Sequence, residues 1–477
     1  MKSIYGKYIT LFLALFFIVS HSYAQTPRST YFIEKSHTRI SLNPALRPDR
    51  GYMGVPFLSG IGVNYQTNTF NLDNFTFPVN GERVTFMHPD VTDDRFLSNI
   101  SNKNYITTDV GYNIFSIGFY KGESFWNIDF SAKANVNANI PGSMFKLLKE
   151  GFDQDDITTY DISDVSATAN AYIELGVSYS RPILNNSLIL GSKVKLLGGI
   201  ANMDMQAEQL SVEAGANKWV ARSKVKLQAS APGIAPKYTI KDNGNDMIDG
   251  VDFSNWGRLS GFGLGFDFGA VYDFNRLSLN LDGLASGILK NLTVSTSFTD
   301  IGFISWTKGN SMNLASSGED VTVVPDYTIH RDGSTSLEDV FNDVLDDFEE
   351  AINLREEKNG GRTTALRVTW NLGAEYKFLD NKLSGGLLYS NRFGKYFNTQ
   401  ELTLSANYRP LDWLSTSLSY SFIHSGFDTF GWSVYLYPKK GVNFFLASDY
   451  IIPNVSPQWI PSTTKALNLQ FGFSIPM

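Results

Sequence analysis

Cysteine is absent from all 477 residues. An exported chain without it has no disulfide framework, no thiolate metal site and no cysteine nucleophile, so one large hydrogen-bonded unit must supply the stability. A basic surplus is missing as well. Lys and Arg number 40 against 47 Asp and Glu, a formal charge of −7, whereas a nucleic-acid footprint needs the opposite sign. Histidine is scarce, and neither a Gly-x-Ser-x-Gly elbow nor a His-Glu-x-x-His motif occurs. Past residue 25 no apolar run reaches the roughly twenty residues that a spanning helix needs.

What is present at the N-terminus sets the compartment. Lys2 and Lys7 form a positive region, Ile9 to Ser20 is apolar apart from Thr10, and Ser22-Tyr23-Ala24 places small residues around a cleavage point. Residues 1–24 read as a secretory signal peptide, with the mature chain starting at Gln25. The expected destination is the outer membrane of a two-membrane bacterium, because of the pattern that follows.

Alternation with period two dominates the mature chain. In Trp126–Ile140 the even positions are Trp126, Ile128, Phe130, Ala132, Ala134, Val136, Ala138 and Ile140, and every odd position is polar. Such switching puts all the apolar side chains on one face of a strand. Soluble strands run about five or six residues; a tilted membrane-crossing strand needs roughly nine to eleven. Comparable runs occur at 168–179, 261–274, 366–376, 414–422 and 466–475. The Phe, Tyr and Trp content, 14%, supplies much of the apolar face.

The pattern predicts an all-β transmembrane antiparallel β-barrel of about fourteen strands, with a range of roughly twelve to sixteen. The strands fall near 59–70, 105–120, 124–140, 163–180, 187–205, 257–273, 290–306, 362–378, 382–393, 398–409, 412–424, 429–438, 442–450 and 465–476. A hairpin around 207–230 is expected to extend the fifth strand beyond the bilayer. Short connections at 121–123, 184–186, 379–381, 410–411 and 439–441 share one parity, that of periplasmic turns; the connection after Asp273-Phe274-Asn275 shares it too but is longer and fits less cleanly. Long ones near 71–104, 141–162, 206–256 and 307–361 fall on the other, as extracellular loops should. Residues 25–58 remain as an N-terminal plug-like segment, and 59–477 as the barrel. A soluble β-sandwich would have shorter strands and mixed loops. In lipid the sheet has to close, since an open edge leaves backbone groups unsatisfied.

Ser41-Leu42-Asn43-Pro44-Ala45-Leu46 resembles the start of the long-chain fatty-acid transporter (FadL-type) superfamily of outer-membrane barrels. The stretch Phe298–Trp306, the Pro410–Trp413 turn and the Gly441–Tyr450 strand resemble an uncharacterised Bacteroidota group of such barrels. The resemblance implies fourteen strands and a luminal plug, with Asn43, Pro44 and Ala45 at the base of the barrel. It further implies either import of a small hydrophobic molecule or service as the membrane partner of an envelope or secretion protein. No ligand motif of the fatty-acid transporters can be matched to this chain.

Four histidines survive signal removal: His37, His88, His330 and His424. Catalysis would place one within reach of a nucleophile or acid, most plausibly His88 or His424 at the outer rim. They read as loop and rim residues, so no enzyme and no cofactor are expected. His330-Arg331-Asp332 imitates a kinase loop without its accompanying elements. Gly261, Gly263 and Gly265 read as luminal glycines that leave room inside. The oxygen-rich segment 241–252 lacks EF-hand spacing and reads as a solvated turn, with calcium as the alternative. Leu337–Leu354 carries apolar residues at helical spacing and an acidic opposite face, an amphipathic helix expected at the barrel mouth.

By parity Asp129, Lys133, Glu174, Asp267, Arg367, Glu375 and Arg392 point inward. Either they form a cross-lumen network holding a plug, or they line a water-filled pore. The functional expectation is conduction or uptake of a small molecule, a hydrophobic one among the candidates. The alternative is a non-transporting scaffold in a secretion or assembly complex. Beyond lipid, the expected partners are that ligand or an envelope protein.

Overall fold

The computed structural model describes residues 26–150, 157–215, 219–240, 246–255, 257–276, 289–316, 318, 320–323, 354–357, 360–423, 427–450 and 465–477. The signal peptide, residues 337–353 of the expected helix, His330 and His424 lie outside them, as do residues 241–245 of the oxygen-rich segment; Leu354, placed at the helix end, instead opens a short strand, Leu354–Glu356.

The alternating segments close into one antiparallel barrel of 14 staves. The first stave is made of two pieces, β1 (Tyr52–Gly54) and β2 (Gly60–Thr67). The wall continues through β3 (Lys103–Lys121), β4 (Ser124–Pro141), β5 (Ser166–Ile183), β6 (Leu188–Ala214) and β7 (Gly261–Asp273). Next come β8 (Leu292–Trp306), β9 (Thr369–Phe378), β10 (Leu383–Arg392) and β11 (Thr399–Leu411). The last four are β12 (Leu414–Ile423), β13 (Phe427–Leu436), β14 (Asn443–Ser448) and β15 (Ala466–Pro476). Closure comes from β15, which pairs with β2 at Ile61↔Phe471 and with β1 at Tyr52↔Pro476.

The two faces of the wall have opposite chemistry. Outward side chains form an apolar belt, with Phe262 64% and Phe268 53% exposed to what would be lipid, while the intervening Asp267 is 1% exposed. Ser415, Ser417, Ser419 and Ser421 of β12 are likewise buried on the luminal side. A sheet so divided is stable only with lipid outside it. Among the described residues no helix is long and apolar enough to cross a membrane.

Short connections gather at one end, where tight geometry is met by left-handed backbone. Leu379, Asp380 and Asn381 all have positive φ, as do Leu184, Asn185 and Asn186. The turn expected at Pro410–Leu411 falls slightly later, because β11 continues through a bulge and Leu411 pairs with Leu414. The expected plug–barrel boundary at 58/59 runs through the first stave, since Tyr52–Gly54 already pair on both sides. Between its pieces the chain bows outward at Phe57 (φ 63°), held by Phe57 N–H to the Ile114 carbonyl and Val55 N–H to that of Phe473. A register shift in β3 between Asn113 and Phe115 accompanies the bow.

At the other end the wall extends. β6 runs on to Ala214 and pairs with Trp219–Ser230, the hairpin expected there. That second strand pairs in turn with Ser311–Ser316 and Asp320–Val323. Beside this sheet, Phe77, Val91, Phe96 and Phe145 form a separate small core in the 70–150 loops.

Candidate functional site

Residues 26–50 occupy the lumen. Two short 3-10 turns, Arg28–Thr30 and Thr38–Ser41, fold the segment back on itself. Asn43, Pro44 and Ala45 lie against the wall where it carries no side chains: a Cβ at Gly191 would come within 2.4 Å of the Ala45 nitrogen, and one at Gly269 within 2.0 Å of Asn43 Oδ1. Asn43 Oδ1 accepts the Ala45 N–H at 2.9 Å, and Asn43 Nδ2 donates to the Thr296 carbonyl at 3.2 Å. The Leu42 carbonyl accepts from Ser297 (2.6 Å) and Asn371 (3.0 Å). Higher in the lumen, Asp449 accepts the backbone N–H groups of Arg28 and Ser29 at 2.7 and 2.9 Å, while Arg28 Nε lies 3.0 Å from Glu401.

Glu34 and His37 are among the titratable plug residues that are perturbed. Burial would raise the Glu34 carboxyl, but Lys377 and Arg409 more than offset it and hold it at about 2. Burial pushes the His37 imidazole down to about 4. That ring stacks 4.3 Å from Tyr52 and sits 3.2 Å from the Tyr435 hydroxyl.

Around and above the plug, side chains meet on the luminal face, most of them between neighbouring staves. Lys193 joins Asp129 (2.7 Å) to Glu174 (2.9 Å), and Lys133 reaches Glu174 at 2.6 Å. Lys195 lies 2.6 Å from both Asp267 and Asp300. Arg392 of β10 meets Asp109 of β3, on the opposite side of the wall, at 2.6 Å. Arg409 binds Glu375 at 3.0 Å and the plug's Phe32 carbonyl at 3.0 Å. Arg367 donates to Asn137.

All seven charges assigned inward by parity therefore project into the lumen, six in ion pairs and Arg367 on an amide. Sequence reading passed over Lys193, Lys195, Asp109, Arg409 and Glu401, although each falls on the luminal parity of its strand. Asp300 was not findable that way. Counting from outward Phe298 assigns it to lipid, but a bulge opposite Asp267, with Asp300 at φ 59°, turns it inward. Of the rim histidines, His88 is described: it caps the Asp90 N–H at 3.2 Å in an outer loop.

Between plug and mouth is a cavity of about 160 Å³, bounded below by Thr26, Ser41 and Leu42 and around its wall by Asp109, Lys133 and Tyr172 among others. The mouth is crossed by residues 393–398, the strap between β10 and β11. It is pinned to Asp204 of β6 by Lys395 (2.7 Å) and the Tyr396 hydroxyl (2.5 Å). Phe397 packs 5.3 Å from Tyr105 of β3.

The family DUF5723, described as a family of unknown function, matches residues 44–449, from the proline of Asn-Pro-Ala to the carboxylate that holds Arg28. The chain belongs to that family. No curated protein matches it. A mutant of the TodX monoaromatic hydrocarbon channel is similar at TM-score 0.43 and 11% identity, over 96% of both chains. The Pseudomonas putida toluene transporter TodX is similar at 0.35 and 8%, over 95% of this chain and 93% of that one. The translocator domain of the Neisseria meningitidis autotransporter NalP is similar at 0.30 and 7%, over 90% of each. Likeness at these levels carries no argument about what passes through the lumen.

Proposed function

We propose that this DUF5723 barrel is a gated, non-enzymatic uptake channel of the outer membrane, exported by a cleaved signal peptide, which admits a small molecule through its lumen. The observation that carries this reading is the chamber between plug and mouth. Two chain segments stand on either side of it, the plug below and the strap at the mouth, and past Phe393, which still pairs with Val368, both are held to the wall through side chains. The strap hangs on Asp204, and the plug rests on side-chain contacts to luminal groups. A barrel that served only as a scaffold would have no need of a chamber between two removable closures. The seven inward charges act in this reading as the struts and lining of the passage. The cargo includes hydrophobic or amphipathic small molecules, since Leu42, Val110 and Tyr172 share the lining with the charged groups.

One observation favours the scaffold as a second reading: the sheet that β6 carries beyond the barrel is a projecting platform larger than a pore requires. Single-channel conductance of residues 25–477 in a planar bilayer tests between them. The channel reading expects a closed resting state, with steps appearing when Asp204→Asn and Tyr396→Phe free the strap and residues 26–50 are deleted. Silence from every variant, with folding verified by heat-modifiable mobility, leaves the scaffold.

A further inference from the structure

The plug is held firmly at its first residues. Asp449, 1% exposed, accepts the Arg28 and Ser29 N–H groups at 2.7 and 2.9 Å, and Arg28 Nε lies 3.0 Å from Glu401. The Ser29 carbonyl accepts from Ser433 Oγ at 3.0 Å, and Thr30 Oγ1 donates to the Pro27 carbonyl at 2.7 Å. Arg28, Ser29 and Thr30 are all buried. Just ahead of them is Thr26, also buried, whose hydroxyl lies 2.6 Å from that of Ser41 on the chamber floor. From Thr26 to the anchored Arg28 the chain spans at most about 7 Å. The segment therefore reaches its anchor from the chamber, which is the open space next to Thr26.

That space is small. A volume of about 160 Å³ is close to the roughly 150 Å³ cavity that takes a single benzene molecule, which leaves room for about one residue ahead of Thr26. Residues 1–24 are far too many for it: extended, they would reach roughly 80 Å. They also include the apolar run Ile9–Ser20, whereas Asp109, Asp129, Lys133, Glu174 and Lys193 stand in the chamber wall. To leave by the mouth they would have to pass the strap that Lys395 and Tyr396 tie to Asp204. We infer that hydrolysis of the Ala24–Gln25 amide licenses closure, because plug and strap are both in place only on a chain whose N-terminus lies within about two residues of Thr26. Water supplies the hydroxyl to the Ala24 carboxyl and a hydrogen to the Gln25 amine; an envelope protease that removes leader peptides carries out the step. A chain that keeps its leader gives up either the seat of Arg28 and Ser29 on Asp449 or the strap's hold on Asp204. The inference rests on the cleaved, gated channel proposed above for its purpose, but closure is measurable without transport.

The test compares the chain starting at Gln25 with forms carrying one, four or eight added glycine and serine residues, and with the chain that keeps residues 1–24. All are refolded in one detergent and checked by heat-modifiable mobility. Trypsin reads both closures, since cleavage after Arg28 reports the seat and cleavage after Lys395 the strap. One added residue should leave both rates within about twofold, because the chamber has that much room. Four or more should speed at least one of them about tenfold or beyond, as expected when hydrogen bonds to a buried carboxylate are lost. If the longest forms do not refold, the four-residue form decides. Equal protection at every length would overturn the inference, and so would one added residue exposing the sites as much as eight. Extended chains that open to trypsin while every form stays silent in a bilayer would keep the inference and remove the uptake reading. Conduction on strap release, with protection independent of length, would do the reverse.

Discussion

Replacing Gly191 by Ala should unseat the plug while leaving the barrel intact. The new methyl points into the lumen, so the ladder of β6 with β5 and β7 keeps its hydrogen bonds. Its Cβ would lie 2.4 Å from both the Ala45 nitrogen and the Pro44 carbonyl carbon. Those are backbone atoms, and no flexible side-chain end can give way in their place. An ordinary contact requires the Asn-Pro-Ala turn to retreat by about 1 Å. That retreat breaks the bonds from Asn43 to the Thr296 carbonyl and from Ser297 and Asn371 to the Leu42 carbonyl. Three bonds at about 1 kcal/mol each amount to about 3 kcal/mol, or about a hundredfold more unseated plug. Limited trypsinolysis of the folded protein reads this directly, because Arg28, Lys35, Arg39 and Arg50 lie within the segment. The variant should be cut there much faster than the wild type, with unchanged heat-modifiable mobility. A plug equally protected in both proteins would refute the glycine-cradle argument.

Asp204→Asn removes the ion pair with Lys395 and weakens the Tyr396 bond, so tryptic cleavage after Lys395 should accelerate several-fold, by about 1 kcal/mol of strap attachment, while cleavage within the plug stays at the wild-type rate. Plug seating should also depend on pH through His37, whose seated pKa is about 4 against an ordinary 6.5. Between these values the unseated imidazole takes up a proton that the seated one refuses. Seating is therefore strongest above pH 6.5 and weakens as pH falls to about 4, by about 3 kcal/mol in total, with no further change from this group below that. Protection from an acid-active protease should decline over that window in the wild type and stay flatter in His37→Phe; identical profiles would show that another group governs the response.

Period-two alternation alone determined the wall. Its long runs, with Ser, Asn and charge on one parity and Phe, Leu and Val on the other, leave lipid as the one environment that suits both faces, and the parity of the connections orients the ends. The same parity sent Asp129, Lys133, Glu174, Asp267, Arg367, Glu375 and Arg392 inward, because side-chain direction in a regular strand is a local property. Which of them meet is not local. Arg392 finds Asp109 only because closure brings β10 and β3 to within hydrogen-bond distance across the lumen, and Lys193 bridges Asp129 and Glu174 only because β4, β5 and β6 pair in a register that brings the three together. Asp300 shows where parity itself fails: a bulge adds a residue and reverses the faces, and nothing in Thr299-Asp300-Ile301 announces it. The boundary of the plug, the strap's anchorage on Asp204 and the place of Thr26 at the chamber floor are likewise products of tertiary structure. Each depends on what lies opposite, and sequence periodicity describes only what lies alongside.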